Sequence, residues 1–106
     1  MTHRQEKLQE ALREVAAEFL SREAGRQSLV TVTRAQLSED GRRGNIFITV
    51  FPETEEEKAV AFANRNRREF TDFFRTRVRG VTPPRVEFLI DRGEKNRQRL
   101  DKLSGE

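Results

Sequence analysis

The residues best equipped for chemistry in this chain are arginines. From Asn64 to Gly80 the sequence reads N-R-N-R-R-E-F-T-D-F-F-R-T-R-V-R-G, with six arginines and three phenylalanines. A guanidinium is always charged and presents a planar fork of donors that matches phosphate and stacks on flat rings. At ~100° per residue, Ala59, Phe62, Ala63, Phe70, Phe73, Phe74 and Val81 fall on one broad arc of a helix. Arg65, Arg68, Arg75 and Arg79 fall on the opposite arc, with Asp72 among them. The fold needs the phenylalanine arc; the arginine arc is the candidate for function. A solvated face is the plain alternative, but like charges one turn apart repel unless something neutralises them.

No other constellation competes. His3 is the single histidine and lies at a terminus that frays. Glu55, Glu56 and Glu57 resemble a carboxylate cluster, but successive helical residues point in different directions, and their place in a first turn is explained by the helix dipole. No serine has a histidine to serve as its base. The chain lacks cysteine, so it has no disulfide framework, thiolate metal site or cysteine nucleophile. The expectation is a protein that is not an enzyme, with no cofactor, no metal and no catalytic residue.

Length and charge narrow the class. The 106 residues suit one small domain, with a core over about 6–91 and a charged tail over 92–106. Only 34% of residues are hydrophobic against 37% charged, which describes a thin core under a highly charged surface. The net charge of +3 is uninformative; its distribution is not. Residues 64–85 hold seven basic and two acidic groups, whereas residues 27–63 hold four and six. The positive field sits on one element, as a polyanion-binding patch would. No apolar run approaches the ~20 residues of a membrane span, and the N-terminus lacks the apolar segment of a signal peptide. A soluble, cytoplasmic, monomeric protein is expected.

The elements that must position the arginines follow from pattern. Thr2 and Gln5 have capping-box spacing. Leu8, Ala11, Leu12, Val15, Ala16, Phe19 and Leu20 then recur at helical spacing up to Gly25. Leu29–Leu37 is a Val/Thr-rich strand whose parity shifts, and a bulge near Thr33–Arg34 would reconcile its halves. Ser38–Asn45 is a hairpin connection, and Ile46, Ile48 and Val50 form the inward face of a second strand ended by Pro52. Thr54 and Glu57 have the spacing of a second capping box. The helix they open runs to about Arg79, with a gap at Asn66 that implies a kink or a change of packing partner. Arg77 lies inside the apolar arc, which requires fraying or a carboxylate partner. Arg85–Asp91 is a third strand, and Leu100 and Leu103 are spaced for one docking turn. The fold class is α+β, with a three-stranded mixed sheet and helices on one face. Phe47 and Phe51 point to the other face, where cross-strand packing is the plain reading and base stacking the functional one.

That order is found in type II KH domains. L-V-T-V-T at Leu29–Thr33, S-E-D at Ser38–Asp40, I-F-I-T-V at Ile46–Val50, N-R at Asn64–Arg65 and T-P-P-R-V-E-F at Thr82–Phe88 together resemble ribosome-binding factor A. The ending, Asp91 followed by Leu100, Asp101 and Leu103, is similar too. The resemblance runs from about Leu8 to Leu103 and makes this a diverged member. The GxxG loop of most KH domains is missing. The family's Ala-x-Gly kink falls on Asn66-Arg67-Arg68, and losing its glycine argues against a sharp kink. The segment around Gly25–Ser28 is shorter than usual and lacks the family's Asp-Pro.

The resemblance implies a non-enzymatic factor that binds the small ribosomal subunit and its ribosomal RNA during late maturation, including RNA processing and growth in the cold. Other assembly factors are possible partners. It places the helix junction at the RNA, so the candidate RNA-binding residues are Arg65, Arg67 and Arg68, extended by Arg75 and Arg79 and flanked by Asn64 and Asn66. The alternative is a protein-interaction module whose arginine-rich helix meets an acidic protein partner. The expected core is Leu12, Val15, Phe19, Val30, Val32, Ile46, Ile48, Val50, Phe62, Phe70, Phe73, Phe74, Val86 and Phe88.

Overall fold

A computed structural model describes residues 2–23, 28–94 and 96–97. Thr2 opens the first helix as the spacing predicts. Its Oγ1 accepts from Gln5 N at 3.2 Å while Gln5 Oε1 accepts from Thr2 N at 3.0 Å, a reciprocal cap on two otherwise unpaired donors. Helix α1, His3–Glu23, buries Leu12, Val15, Ala16, Phe19 and Leu20 along one stripe. The predicted stop at Gly25 and the turn at Leu100 and Leu103 lie outside the described residues.

Strands β1, Leu29–Leu37, and β2, Arg43–Phe51, pair antiparallel. Their register slips between Val32 and Arg34, leaving Thr33 as the extra residue. The bulge turns both Val32 and Ala35 inward despite their odd separation, and both are buried. The connecting turn carries Gly41 at φ 71°, a left-handed conformation that costs glycine little. At the start of β2, Gly44 lies under α1, where a Cβ would meet Leu12 Cδ2 at 2.9 Å.

The second capping box does not form. Pro52 leads the chain into a 3-10 turn at Glu53–Glu55, so Thr54 lies inside that turn. Helix α2, Glu56–Arg65, starts after Glu55, which makes no side-chain cap. Glu56 and Glu57 still occupy the first turn, where the dipole favours them. The long helix is broken at Asn66, and α3 runs Arg67–Arg77. It ends two residues before Arg79, because the β-branched Val78 is already extended at φ −127°, ψ 108°. Strand β3, Arg85–Ile90, returns beside β2 in parallel. The helices supply the long crossover that a parallel pair requires. The sheet order is β1-β2-β3, and residues 92–94 and 96–97 are helical.

The core lies between one sheet face and the helices. Val32, Ala35, Ile46, Ile48, Val50, Val86 and Phe88 meet Ala63, Phe70, Phe74 and the α1 stripe. Phe70 is its hub, edge-on to Phe19 of α1 (5.5 Å between centroids) and to Phe88 of β3 (5.7 Å). Val30, Phe62 and Phe73 were expected inside but are only half-buried. Phe73 sits at the outer edge of the α1–α3 seam, where Arg22 and Arg77 cover its ring at 5.6 and 4.5 Å. Ala16, Leu20, Ala35 and Ala63 complete the buried set.

Asp91 knots the sheet. Its carboxylate is buried and accepts from Thr33 Oγ1 at 2.5 Å, Glu94 N at 3.0 Å and Arg34 Nε at 3.3 Å. One side chain thus joins the end of β3, the β1 bulge and the following helical turn. Burial alone would raise this carboxyl's pKa; the hydrogen bonds from Thr33 and Glu94 and the Arg34 guanidinium outweigh it and hold the pKa below the usual value.

Candidate nucleic-acid interface

The break at Asn66 sets the geometry of the site. Asn66 has φ −100°, ψ 21°, and its N–H reaches both Phe62 O (3.1 Å) and Ala63 O (3.2 Å). Its side-chain Nδ2 donates to Phe62 O at 2.8 Å, while its own carbonyl accepts from Phe70 N at 2.9 Å. An asparagine amide competes with the backbone ladder in this way. It ends one helix and starts the next without a glycine. Arg65 therefore sits on the last turn of α2, while Arg67 and Arg68 sit on the first turn of α3.

Asn64 holds that junction in place. Its Oδ1 accepts from Phe88 N at 2.9 Å and its Nδ2 donates to Phe88 O at 3.0 Å. Strand β3 is an edge strand, and this amide satisfies one residue's outward-facing backbone groups as another strand would. Both candidate asparagines thus commit their amides to the backbone. What remains for a ligand is cationic.

Asn64, Arg65, Arg67, Arg68, Thr71, Arg85 and Val86 line an open cleft of about 570 Å³. Four of the seven are arginines and none is acidic. Among the described residues, these four arginines make no ion pair. Three of them were expected from the sequence. Arg85 was not, because its side chain reaches the helix junction only through the parallel crossover. Arg85 also stands beside Arg43 in the β2–β3 register, and its N–H bonds Arg42 O at 2.8 Å. The one sequence signal was that the basic window extends to residue 85.

The other expected members lie elsewhere. Arg75 is exposed and stands 3.4 Å from Asp72, one turn back on α3. Arg79 is exposed but lies beyond the end of α3, so the four-arginine helical stripe is interrupted. Arg77 resolves in favour of a carboxylate partner: its Nη2 reaches Glu18 Oε1 on α1 at 2.7 Å. That hydrogen bond and the opposite charge lower the Glu18 pKa and raise that of Arg77. On the opposite sheet face, Phe51 is exposed, while Phe47 is half-buried with the Arg34 guanidinium 4.0 Å above its ring. His3 is exposed at the start of α1, and no helix among the described residues is long and apolar enough to cross a membrane.

This helix–strand–strand–helix–helix–strand order, with its mixed sheet and basic junction between the last two helices, defines a KH-like domain of type II topology. The family model described as ribosome-binding factor A matches residues 4–104. The chain belongs to that family. It is 32% identical over 106 aligned positions to the ribosome-binding factor A of Natranaerobius thermophilus, spanning 94% of this chain and 79% of that protein. Its structure is similar to the crystal structure of ribosome-binding factor A from Thermus thermophilus, with TM-score 0.73 and 30% identity over 83% of this chain and 97% of that one. A homology model of the Thermus thermophilus factor, fitted into a cryo-EM map of a complex with the 30S subunit, matches with TM-score 0.71 and 31% identity. That likeness covers 81% of this chain and 93% of the fitted one.

Proposed function

We propose that this protein binds the small ribosomal subunit and its RNA during late maturation of the particle, without catalysing a reaction, through the cleft at the α2–α3 junction. The observation that carries the proposal is the set of four arginines, Arg65, Arg67, Arg68 and Arg85, without an ion pair among the described residues and lining a cleft that holds no carboxylate. Such a surface is neutralised by phosphates. Arg75 and Arg79 extend the field outward. Family membership and the 30S complex of the Thermus thermophilus factor support the same partner. With Asn64 and Asn66 turned to the backbone, recognition rests on the arginines. The cleft reads shape and phosphate, and its guanidinium planes can stack on unpaired bases.

Co-sedimentation with purified small subunits tests this. The wild-type protein is expected in the subunit fraction, more with maturing than with mature particles, and ribonuclease treatment should release it. Arg65→Glu with Arg68→Glu should reduce binding by roughly a hundredfold, about 2.7 kcal/mol, at an unchanged thermal midpoint. Retention after ribonuclease would favour an acidic protein partner for the same arginines.

A further inference from the structure

A second cleft is larger than the arginine cleft. It is a groove of about 920 Å³ between the N-terminal half of α1, the β1–β2 turn and the segment joining α3 to β3. Its lining shares no residue with that of the arginine cleft. The floor is aliphatic: Leu8 and Ala11 from α1, Val78, Val81 and Pro83 from the joining segment, all half-buried. The edge is cationic, formed by the exposed Arg4, Lys7 and Arg42. Among the described residues, Arg4 and Lys7 make no ion pair. Asp40 is the one acidic residue in the lining, and it is occupied. Its Oδ1 accepts from Ser38 Oγ at 2.6 Å and Arg42 N at 3.0 Å, which lowers its pKa. The walls are also tied together, since Gln5 Nε2 on α1 donates to Glu39 O in the turn at 2.6 Å.

We infer that this groove is a docking site for an acidic, amphipathic segment of a partner protein, separate from the RNA surface. Two features choose the occupant. The floor contains no aromatic ring, and a nucleobase gains most from stacking on one; branched aliphatic side chains gain from burial against the floor's own aliphatic groups. The cationic edge around that floor then pairs with carboxylates flanking the apolar residues. An apolar strip set in a complementary charged border is the pattern of helix-in-groove recognition. Charge on the edge steers and selects while the floor supplies affinity.

The test uses the full chain, isotope-labelled for amide NMR, and a synthetic helical peptide of about four turns with leucines on one face and glutamates elsewhere. The expected result is saturable binding that shifts the amides of Leu8, Ala11, Val78 and Val81. A sister peptide with lysines in place of the glutamates should not bind. Arg4→Glu with Lys7→Glu should weaken the acidic peptide by roughly tenfold or more while keeping the affinity for small-subunit RNA. Arg4→Gln with Lys7→Gln, which removes charge without reversing it, should weaken it less. The inference fails if the acidic peptide does not saturate, if its shifts cluster at Arg65, Arg67, Arg68 and Arg85, or if the charge-reversed protein binds it like wild type. It fails equally if a single-stranded RNA oligomer, and not the peptide, shifts the groove amides.

Discussion

Two sets of arginines around α3 meet opposite fates. At the α2–α3 junction, Arg65, Arg67, Arg68 and Arg85 converge on an open cleft without a counter-charge. At the α1–α3 seam, Arg77 is held by Glu18 and lies over Phe73, and Arg22 covers the same ring. In residue type and charge the two sets are the same. What separates them is the neighbour that tertiary structure delivers: a carboxylate and an aromatic face in one case, more arginine in the other. An arginine with a partner is part of the fold, whereas an arginine facing its own kind invites a polyanion.

Experiments that separate these fates can be ordered by expected size. Phe70→Ala should be largest, since the ring is fully buried and joins α1, α3 and β3. A loss of about 3–5 kcal/mol is expected in denaturant unfolding, most of the stability of a small domain. The half-buried Phe73 should cost less when replaced by alanine. Equal losses at the two positions would mean that the seam is as dry as the core.

Next comes Asp91→Asn, which probes Arg34, an arginine held by a buried carboxylate. The folded Asp91 pKa lies below the ordinary aspartate value, so this group binds fewer protons folded than unfolded near that value. Its contribution is therefore complete above the unfolded pKa of about 3.9. It is lost as pH falls through the lower folded value. The wild-type advantage over Asp91→Asn should be largest near neutral pH and shrink on acidification below about pH 4. An advantage that grew on acidification would contradict the sign.

Smallest is Arg77→Ala. The pair is exposed, and exposed pairs contribute little. The thermal midpoint should fall slightly, with no loss of subunit binding. A variant that lost subunit binding at an unchanged midpoint would move Arg77 into the functional set.

Much of the fold is legible in the sequence because its signals are local. Thr2 and Gln5 lie one turn apart, and their cap forms. The parity change between Val32 and Ala35 is visible within one strand and requires the bulge that is found. Local chemistry misleads at Thr54, where the 3-10 turn that follows Pro52 takes in the expected cap residue. At Asn66 the sequence leaves open whether the helix kinks without a glycine; the helix breaks there, and the asparagine side chain bonds the backbone. The site was half legible. Arg65 and Arg68 are read from spacing and Arg67 from the family resemblance, but Arg85 joins them only through the parallel pairing of β2 and β3. The clamp of Asn64 on Phe88 spans 24 residues of sequence, and no periodicity encodes it. Arg79 was lost from the stripe because helical phase was carried past the point where Val78 leaves the helix.

The central claim is that the junction arginines meet phosphate. The most direct measurement is the salt dependence of affinity for small-subunit RNA, compared between wild type and Arg65→Ala with Arg68→Ala. Removing one arginine–phosphate pairing takes somewhat less than one unit from the slope of log affinity against log salt. The double variant should therefore show a slope shallower by about 1–2 units at an unchanged thermal midpoint. A slope equal to that of wild type would contradict the assignment of this cleft to RNA.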